Sequence, residues 1–144
     1  MAAGGETALD WQKTGGDGVL KLTFCLRRLP ALSLADFHDY WLNRHGPLVR
    51  SLQPALGMVR YVQVHRRDDA LDAGLRAVRS APEPYDGVAE LWWESEEAFR
   101  ASGRTPAGRA AGKTLLEDEA KFIDLARSPL WLGTEHVLHP GQTA

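Results

Sequence analysis

An α+β fold, with the order strand, helix, strand, strand, helix, strand, is predicted by two kinds of pattern in the chain. Four segments are predicted to be strands, the first two from an alternation of apolar and polar residues with a period of two. One longer segment places apolar residues at the three- and four-residue spacing of an amphipathic helix, and a second opens with an N-cap followed by proline. The combined order is that of the split βαβ, or ferredoxin-like, arrangement, in which two helices cover one face of a four-stranded sheet.

The four predicted strands have the sequences VLKLTFCLRR, MVRYVQVHRR, YDGVAELWWE and WLGTEHVLHP. One side of the second strand carries Val59, Tyr61, Gln63 and His65. We expect this side, with Val88 or Trp92 beside it, to form the sheet face that the helices leave open. Such a face is too apolar to remain in water, so a second copy of the sheet should pack against it and enclose a cavity.

The first helix is expected to begin after Ser33, which has the position of an N-cap with Asp36 three residues later. A single stripe, within roughly 80° around the helix, contains Leu34, Phe37, Trp41, His45, Leu48 and Leu52. Because Pro47 cannot continue a helix without a kink, Gly46-Pro47 should end the first helical segment and turn His45 toward the cavity. An imidazole there can act as an acid or base, or it can cap the helix C-terminus.

The middle of the chain carries weaker signals. Residues 66–86 are rich in charge, Ala and Pro without a sustained apolar period, which suits a lid, a binding loop or surface decoration. A short helix should begin at Ser95. The second main helix should open at Thr105-Pro106, an N-cap followed by proline, and run to about Lys121.

Composition and charge limit the partners and the cellular location that are expected. A formal net charge of −2 gives no reason to expect nucleic acid or a membrane as partner. The single cysteine, Cys25, excludes an internal disulfide, so a reducing, cytoplasmic location is expected. Residues 1–18 lack the basic start and apolar run of a secretory signal and are expected to be a flexible tail before a domain at 19–140.

The C-terminal segment EDEAKFIDLARSPLWLGTEHVLH concentrates further titratable side chains. Asp124, Glu135, His136 and His139 could pair for proton transfer, with a carboxylate orienting an imidazole. Because successive strand residues point to opposite faces, only one of Glu135 and His136 can reach a given cavity. A surface ion pair with a structural histidine is the alternative interpretation.

Metal chemistry is not indicated by the spacing of the five histidines. The HExxH zinc pattern is absent, and His136 and His139 are spaced wrongly to share a strand face. We therefore expect no metal and no cofactor, although one histidine would suffice as an axial haem ligand. The tryptophans could belong to the core or line a cavity for an aromatic ligand.

Two separated stretches resemble the EthD family of dimeric α+β barrel proteins. They are LTFCLRRLPALSLADFHDYWLNRHGPLV, with WLNRHGPLV as its sharpest part, and DEAKFIDLARSPLWLGTEHV. The resemblance runs from about Lys21 to Val137. It implies a homodimer whose sheets pack into a barrel, with a pocket between sheet and helices in each subunit. It also identifies His45 with the family histidine after the helical tryptophan, and Asp124 and His136 with the terminal acid and histidine.

Family relatives that share the fold include cofactor-free isomerases, polyketide cyclases and small monooxygenases, and some bind haem. The leading hypothesis is cofactor-independent acid/base chemistry, of isomerase, cyclase or lyase type, on a small hydrophobic oxygenated metabolite. His45 would be the base, with His136 or Asp124 as its partner. Substrate contacts are predicted for Trp41, Tyr61, His65, Trp92, Phe122 and Trp131. The alternatives are a non-catalytic binding protein that serves an oxidoreductase, and a haem-binding or monooxygenase-like protein.

Overall fold

Residues 19–141, which the computed structural model describes, contain the four predicted strands in the predicted order. The strands are β1 (Leu20–Leu26), β2 (Arg60–His65), β3 (Gly87–Trp93) and β4 (Leu130–Gly133). The helices are α1 (Leu34–Tyr40), α2 (Gly46–Leu56), α3 (Ala70–Val78), α4 (Glu96–Ser102) and α5 (Pro106–Glu119). A π-helical turn (Trp41–His45) joins α1 to α2, and a 3-10 helix (Leu125–Arg127) precedes β4. The predicted tail, residues 1–18, lies outside the described residues.

The sheet has the strand order β2-β3-β1-β4, and every neighbouring pair is antiparallel. β1 and β3 are adjacent in the sheet, although β2 and its flanking helices lie between them in the chain. This order confirms the predicted ferredoxin-like α+β fold. The core lies between the sheet and the helices, and its largest fully buried side chains are Trp41, Phe37, Phe122 and Leu26.

The predicted assignment of side chains to the two sheet faces was wrong for the second strand. Tyr61 is paired with Leu91 across β2 and β3, and Gln63 donates a hydrogen bond to the main-chain oxygen of Trp41, so this side faces the helices. The open face instead includes Lys21, Thr23, Arg60, Val62, Val64, Val88, Glu90 and Trp92. Both sides of β2 carry apolar residues, so alternation alone could not assign them.

Helix boundaries follow the predicted capping residues. Ser33, Ser95 and Thr105 each accept a hydrogen bond from the main-chain N–H three residues later, as N-caps do. At the other end of α2, Gly57 adopts the left-handed conformation (φ 78°) that closes a helix at low cost only for glycine. The three predicted helix starts are confirmed.

The predicted helix break at Gly46-Pro47 does not occur. The chain widens into the π-helical turn, in which the N–H of Gly46 bonds to the carbonyl of Trp41, and α2 starts directly afterwards. Pro47 lies in the first turn of α2, where a missing N–H costs little. The sequence predicted an irregularity of the helix at Gly46-Pro47 but not a π-helical turn, because proline is compatible both with a helix end and with the first turn of the next helix.

Residues 66–86 contain an unpredicted helix, α3. Its Leu71, Leu75 and Val78 lie at helical spacing and are all exposed.

The predicted fourth strand is shorter than expected and ends at Gly133. Among residues 19–141, no helix is long and apolar enough to cross a membrane.

Candidate acid/base site

A cavity of about 210 Å³ lies between the sheet and the helices. Its wall is mostly apolar and includes Leu22, Phe24, Val49, Leu91, Trp93 and Phe99. Three titratable side chains also line it: His45, Tyr61 and Glu119. The edge residue Leu130 lines the cavity and is 55% exposed, so the cavity opens beside β4. Its volume is below the roughly 300–1,000 Å³ of sites for drug-sized ligands and suits a molecule of one or two fused rings.

His45 is buried in the cavity wall and is held by a carboxylate. Its Nδ1 lies 2.7 Å from Oδ2 of Asp118, while the hydroxyl of Tyr40 donates to Oδ1 of the same carboxylate at 2.6 Å. Burial raises the pKa of Asp118, but the hydrogen bonds from Tyr40 and His45 outweigh that effect and lower it overall. Asp118 is therefore ionised at neutral pH and accepts both bonds.

The protonation state of His45 follows from two opposing effects. Burial lowers its pKa, the charge and hydrogen bond of Asp118 raise it, and burial prevails, so the pKa lies below the ordinary 6.5. The contact with Asp118 at neutral pH is thus a hydrogen bond from a neutral imidazole rather than an ion pair. Since Nδ1 carries the proton, Nε2 has a free lone pair and can accept a proton from a bound molecule.

The partner of His45 differs from the one the sequence suggested. Asp124 follows α5 and lies 3.9 Å from Arg127 as an ion pair, and it does not line the cavity. Asp118 comes six residues earlier, where the helical spacing from Ala111 places it on the buried face of α5. The stripe of Ala111, Leu115, Asp118 and Phe122 signals in the sequence that Asp118 is buried, but it does not identify His45 as its partner.

A second network fixes Tyr61. The amide of Gln63 donates to the Tyr61 hydroxyl at 2.7 Å and to the Trp41 carbonyl at 2.9 Å, and its oxygen lies 2.8 Å from Nε2 of His65. His65 must donate this last bond, because the amide oxygen can only accept. Burial raises the pKa of Tyr61, so the phenol keeps its proton.

Trp41 packs closely against β3. Its indole lies parallel to the His65 imidazole, with ring centroids 4.5 Å apart, and it is 1% exposed. A Cβ atom added at Gly87 would lie 2.4 Å from the Trp41 ring. Gly87 is therefore required for Trp41 to reach this position in the cavity wall.

The aromatic residues predicted to contact substrate divide into three groups. Trp41 and Tyr61 line the cavity. His65 and Phe122 lie one layer behind it, against Trp41 and against the His45 ring, respectively. Trp92 and Trp131 lie on the open face of the sheet, as expected for Trp92, whereas the cavity lies on the helix-covered face, so neither lines it.

Trp93 is the cavity tryptophan that the sequence interpretation missed. Its indole N–H donates to the carbonyl of Leu56 at 2.8 Å, and its ring meets Phe99 edge-on. Trp92, its neighbour, lies under the side chains of Lys21 and Arg60 on the other face. Two adjacent tryptophans in a strand always face opposite ways, and only the strand register decides which faces inward.

The C-terminal histidines do not join the site. His136 and His139 are exposed beyond the end of β4, and neither lines the cavity. Glu135 forms an ion pair with Lys21 at 3.2 Å on the open side of the sheet. The structure therefore gives neither Glu135 nor His136 a place beside His45.

Glu119 is a further cavity residue that the sequence interpretation did not single out. It ends α5, next to Asp118, and its carboxyl is half-buried in the cavity wall. Burial, together with the neighbouring charge of Asp118, raises its pKa to about 7. Among residues 19–141, no group of three or more His, Cys, Asp or Glu side chains is arranged to hold a metal ion.

The EthD domain model matches residues 29–126, about two thirds of the chain. The chain belongs to the EthD family. The match includes the whole of the helical region with His45 and the end of α5 with Asp118 and Glu119. The family resemblance noted in the sequence is thereby confirmed.

Three curated proteins are similar to this EthD chain over most of their lengths. The dehydratase ustZ of Ustilaginoidea virens is 27% identical over 74% of this chain and 76% of its own. The decarboxylase claH of Passalora fulva is 26% identical over 85% and 80%. The conidial pigment biosynthesis dehydratase EthD of Metarhizium robertsii is 28% identical over 80% and 81%.

Solved structures share the fold of this EthD chain. An EthD family protein from Bacillus halodurans has a TM-score of 0.53 at 22% identity, covering 81% of this chain and 98% of its own. A dimeric protein with a ferredoxin-like fold from Bacteroides fragilis has a TM-score of 0.52 at 9% identity, covering 82% and 97%. The second of these proteins is dimeric.

Proposed function

We propose that this EthD protein is a cofactor-independent acid/base enzyme of lyase type, acting on a small, mainly apolar, oxygenated metabolite. The observation that carries the proposal is the hydrogen bond between Asp118 and Nδ1 of His45, in the wall of an otherwise apolar cavity. An imidazole held in one tautomer by a carboxylate is the usual arrangement of a histidine base.

His45 would remove a proton from a carbon next to a carbonyl group of the substrate. The Nε2 lone pair takes the proton, and the imidazolium that forms is stabilised by the Asp118 carboxylate. Tyr61 accepts its hydrogen bond from Gln63 and can donate its own proton to the carbonyl oxygen. Trp41 and Trp93 supply flat apolar walls for a ring.

The substrate class follows from the charges in the wall. Among residues 19–141, no lysine or arginine lines the cavity, so these residues offer no counter-ion to an anionic substrate. A neutral ketone with one or two rings fits both the volume and the polarity. The curated relatives named as dehydratases and decarboxylases support a reaction in which a small group is lost.

A homodimer formed through the open sheet face belongs to the same proposal. Val64 and Trp131 on that face are 48% and 51% exposed, and the Bacteroides fragilis protein of the same fold is dimeric. Covering these side chains with a second sheet would remove apolar surface from water in both copies.

The test is the exchange of the α-hydrogens of 1-tetralone, a neutral bicyclic ketone, in deuterated buffer, followed by proton NMR. The wild-type protein should accelerate exchange above the buffer rate, and His45→Gln should lose about a hundredfold or more of that acceleration. Gln keeps an N–H for Asp118, so the fold should survive. His136→Gln, at an exposed histidine, is the matched control and should exchange like the wild type.

Exchange at the buffer rate by the wild-type protein, or equal exchange by His45→Gln, would refute the proposal. Binding of 1-tetralone, seen as quenching of tryptophan fluorescence without any exchange, would favour a carrier over an enzyme.

A further inference from the structure

Besides His45, Glu119 is a polar group of the cavity that can exchange a proton near neutral pH. The proton abstraction proposed for His45 does not involve it. Successive residues of a helix point about 100° apart. Asp118 therefore reaches Nδ1 of His45, while Glu119 turns into the cavity that His45 also lines. The end of α5 thus places one carboxylate behind the base and one carboxyl in front of it.

The surroundings of Glu119 favour the protonated form of its carboxyl, with a pKa of about 7. Within residues 19–141, no side chain forms a hydrogen bond or an ion pair with it, and no cationic residue lines the cavity. A buried carboxyl without a donor or a counter-ion is costly to ionise, and the adjacent charge of Asp118 adds to that cost. A protonated carboxyl has one O–H to donate. An oxygen atom of a ligand bound in the cavity can accept that hydrogen bond.

We infer that Glu119 is the proton donor of this site, and that the reaction is the elimination of water from a small β-hydroxy ketone. The inference rests on the proposed function, in which His45 is the base. It adds a second catalytic residue and selects one reaction class among the lyases.

His45 and Glu119 together supply and recover the protons that the elimination needs. His45 Nε2 takes the proton from the carbon next to the carbonyl, and the electrons of that C–H bond form a carbon–carbon double bond. The C–O bond to the β-hydroxyl breaks, and the leaving oxygen takes the proton of Glu119 and departs as water. The proton on His45 then returns to the Glu119 carboxylate through a water molecule, which restores both groups.

The base His45 and the proton donor Glu119 suit the elimination of water better than they suit decarboxylation. A hydroxide ion is a poor leaving group in an apolar cavity, so a proton donor at its oxygen lowers the barrier directly. A carboxylate substrate would instead place its negative charge beside Glu119 and near Asp118, with no lysine or arginine in the wall to offset it.

Other titratable groups do not compete for this role. From the π-helical turn, His45 faces the cavity; from β2, Tyr61 does; and from α5, Asp118 lies behind His45. The remaining elements in the wall contribute residues that do not titrate, such as Leu22, Ala89, Phe99, Ser102 and Leu130. The charge of Glu119 also raises the pKa of Tyr61, which places the two side chains within electrostatic reach.

The test uses 3-hydroxy-1-tetralone, which becomes fluorescent 1-naphthol when it loses water. The wild-type protein should form 1-naphthol, and Glu119→Gln should do so about a hundredfold more slowly or worse. The same variant should lose much less of the α-hydrogen exchange of 1-tetralone than of the dehydration, because exchange has no leaving group to protonate. Glu117→Gln, an exposed position on α5, is the matched control and should leave both rates unchanged.

The outcomes separate the inference from the proposal it rests on. Dehydration by Glu119→Gln at the wild-type rate would overturn the role of Glu119, and exchange without any 1-naphthol from the wild type would overturn the reaction class. Absence of His45-dependent exchange in the wild type would instead refute the proposed function. The pH profile gives a further readout: dehydration should fall above about pH 7, where Glu119 ionises, whereas exchange should not.

Discussion

Nδ1 of His45 lies 2.7 Å from Oδ2 of Asp118, and this pair joins the π-helical turn to the buried face of α5. The two residues are 73 positions apart in the chain. The hydrogen bond fixes the tautomer of the imidazole and links it to the helix that carries Glu119.

Replacing Asp118 with Asn should impair proton abstraction. An amide can turn its NH₂ group toward Nδ1, which would move the imidazole proton to Nε2 and remove the lone pair from the cavity. We expect α-hydrogen exchange of 1-tetralone to fall about tenfold or more. Asp124→Asn is the control and should exchange at the wild-type rate. Equal loss in both variants would argue against the assignment of Asp118.

Gly87→Ala should destabilise the protein through Trp41. The added Cβ would lie 2.4 Å from the Trp41 ring and 2.8 Å from the main-chain oxygen of Val64, so the indole must move. We expect a loss of about 1–3 kcal/mol in the free energy of unfolding, measured with urea. Gly112→Ala, at an exposed helical position with open space around it, should be neutral or stabilise by roughly 0.5–1 kcal/mol. An unaffected Gly87→Ala variant would mean that Trp41 is not packed as described.

Glu119→Gln should change how stability depends on pH. The folded pKa of about 7 lies above the ordinary 4.5, so the folded state of the wild type holds this proton more tightly than the unfolded state. Its stabilising contribution is present below pH 4.5 and is lost as pH rises to 7. At pH 8 the variant should therefore be more stable, by about 1–2 kcal/mol after allowance for solvent at the cavity opening.

Thermal melting from pH 4 to pH 8 measures this difference. The wild type and Glu119→Gln should melt together at pH 4 and separate steadily until about pH 7. Glu117→Gln should follow the wild type throughout. Parallel curves for wild type and Glu119→Gln would show that the carboxyl titrates normally.

The open sheet face should hold two copies together. At micromolar concentration, sedimentation should give about twice the chain mass of 15.9 kDa. Val64→Glu places a charge on that face and should yield monomers, whereas Leu116→Glu, on the exposed side of α5, should remain dimeric. A monomeric wild type, or an undisturbed Val64→Glu dimer, would exclude this interface.

The order of the four strands and the two main helices could be predicted because local patterns of alternation, helical spacing and capping mark these segments, whereas α3 was not predicted. The N-caps at Ser33, Ser95 and Thr105 were likewise visible, since capping is a local interaction. His45 and Trp41 were placed on the buried face of their helix from spacing alone, and the structure confirms that both line the cavity.

What could not be predicted depended on register and on partners distant in the chain. The inward side of β2 is set by its pairing with β3, which the alternation within β2 does not reveal, so the predicted face of Tyr61 was wrong. Asp118 lies 73 residues from His45, so no local pattern links the two. Glu119 resembles a surface residue until α5 is placed against the sheet.

The most direct test of the acid/base site is the ¹⁵N NMR spectrum of the His45 imidazole, recorded across pH and with 1-tetralone added. The proton should reside on Nδ1, the pKa should lie below 6.5, and the ketone should shift the Nε2 resonance while leaving that of His136 unchanged. A proton on Nε2, a pKa of 6.5 or above, or an Nε2 resonance indifferent to the ketone would contradict His45 as the base of this cavity.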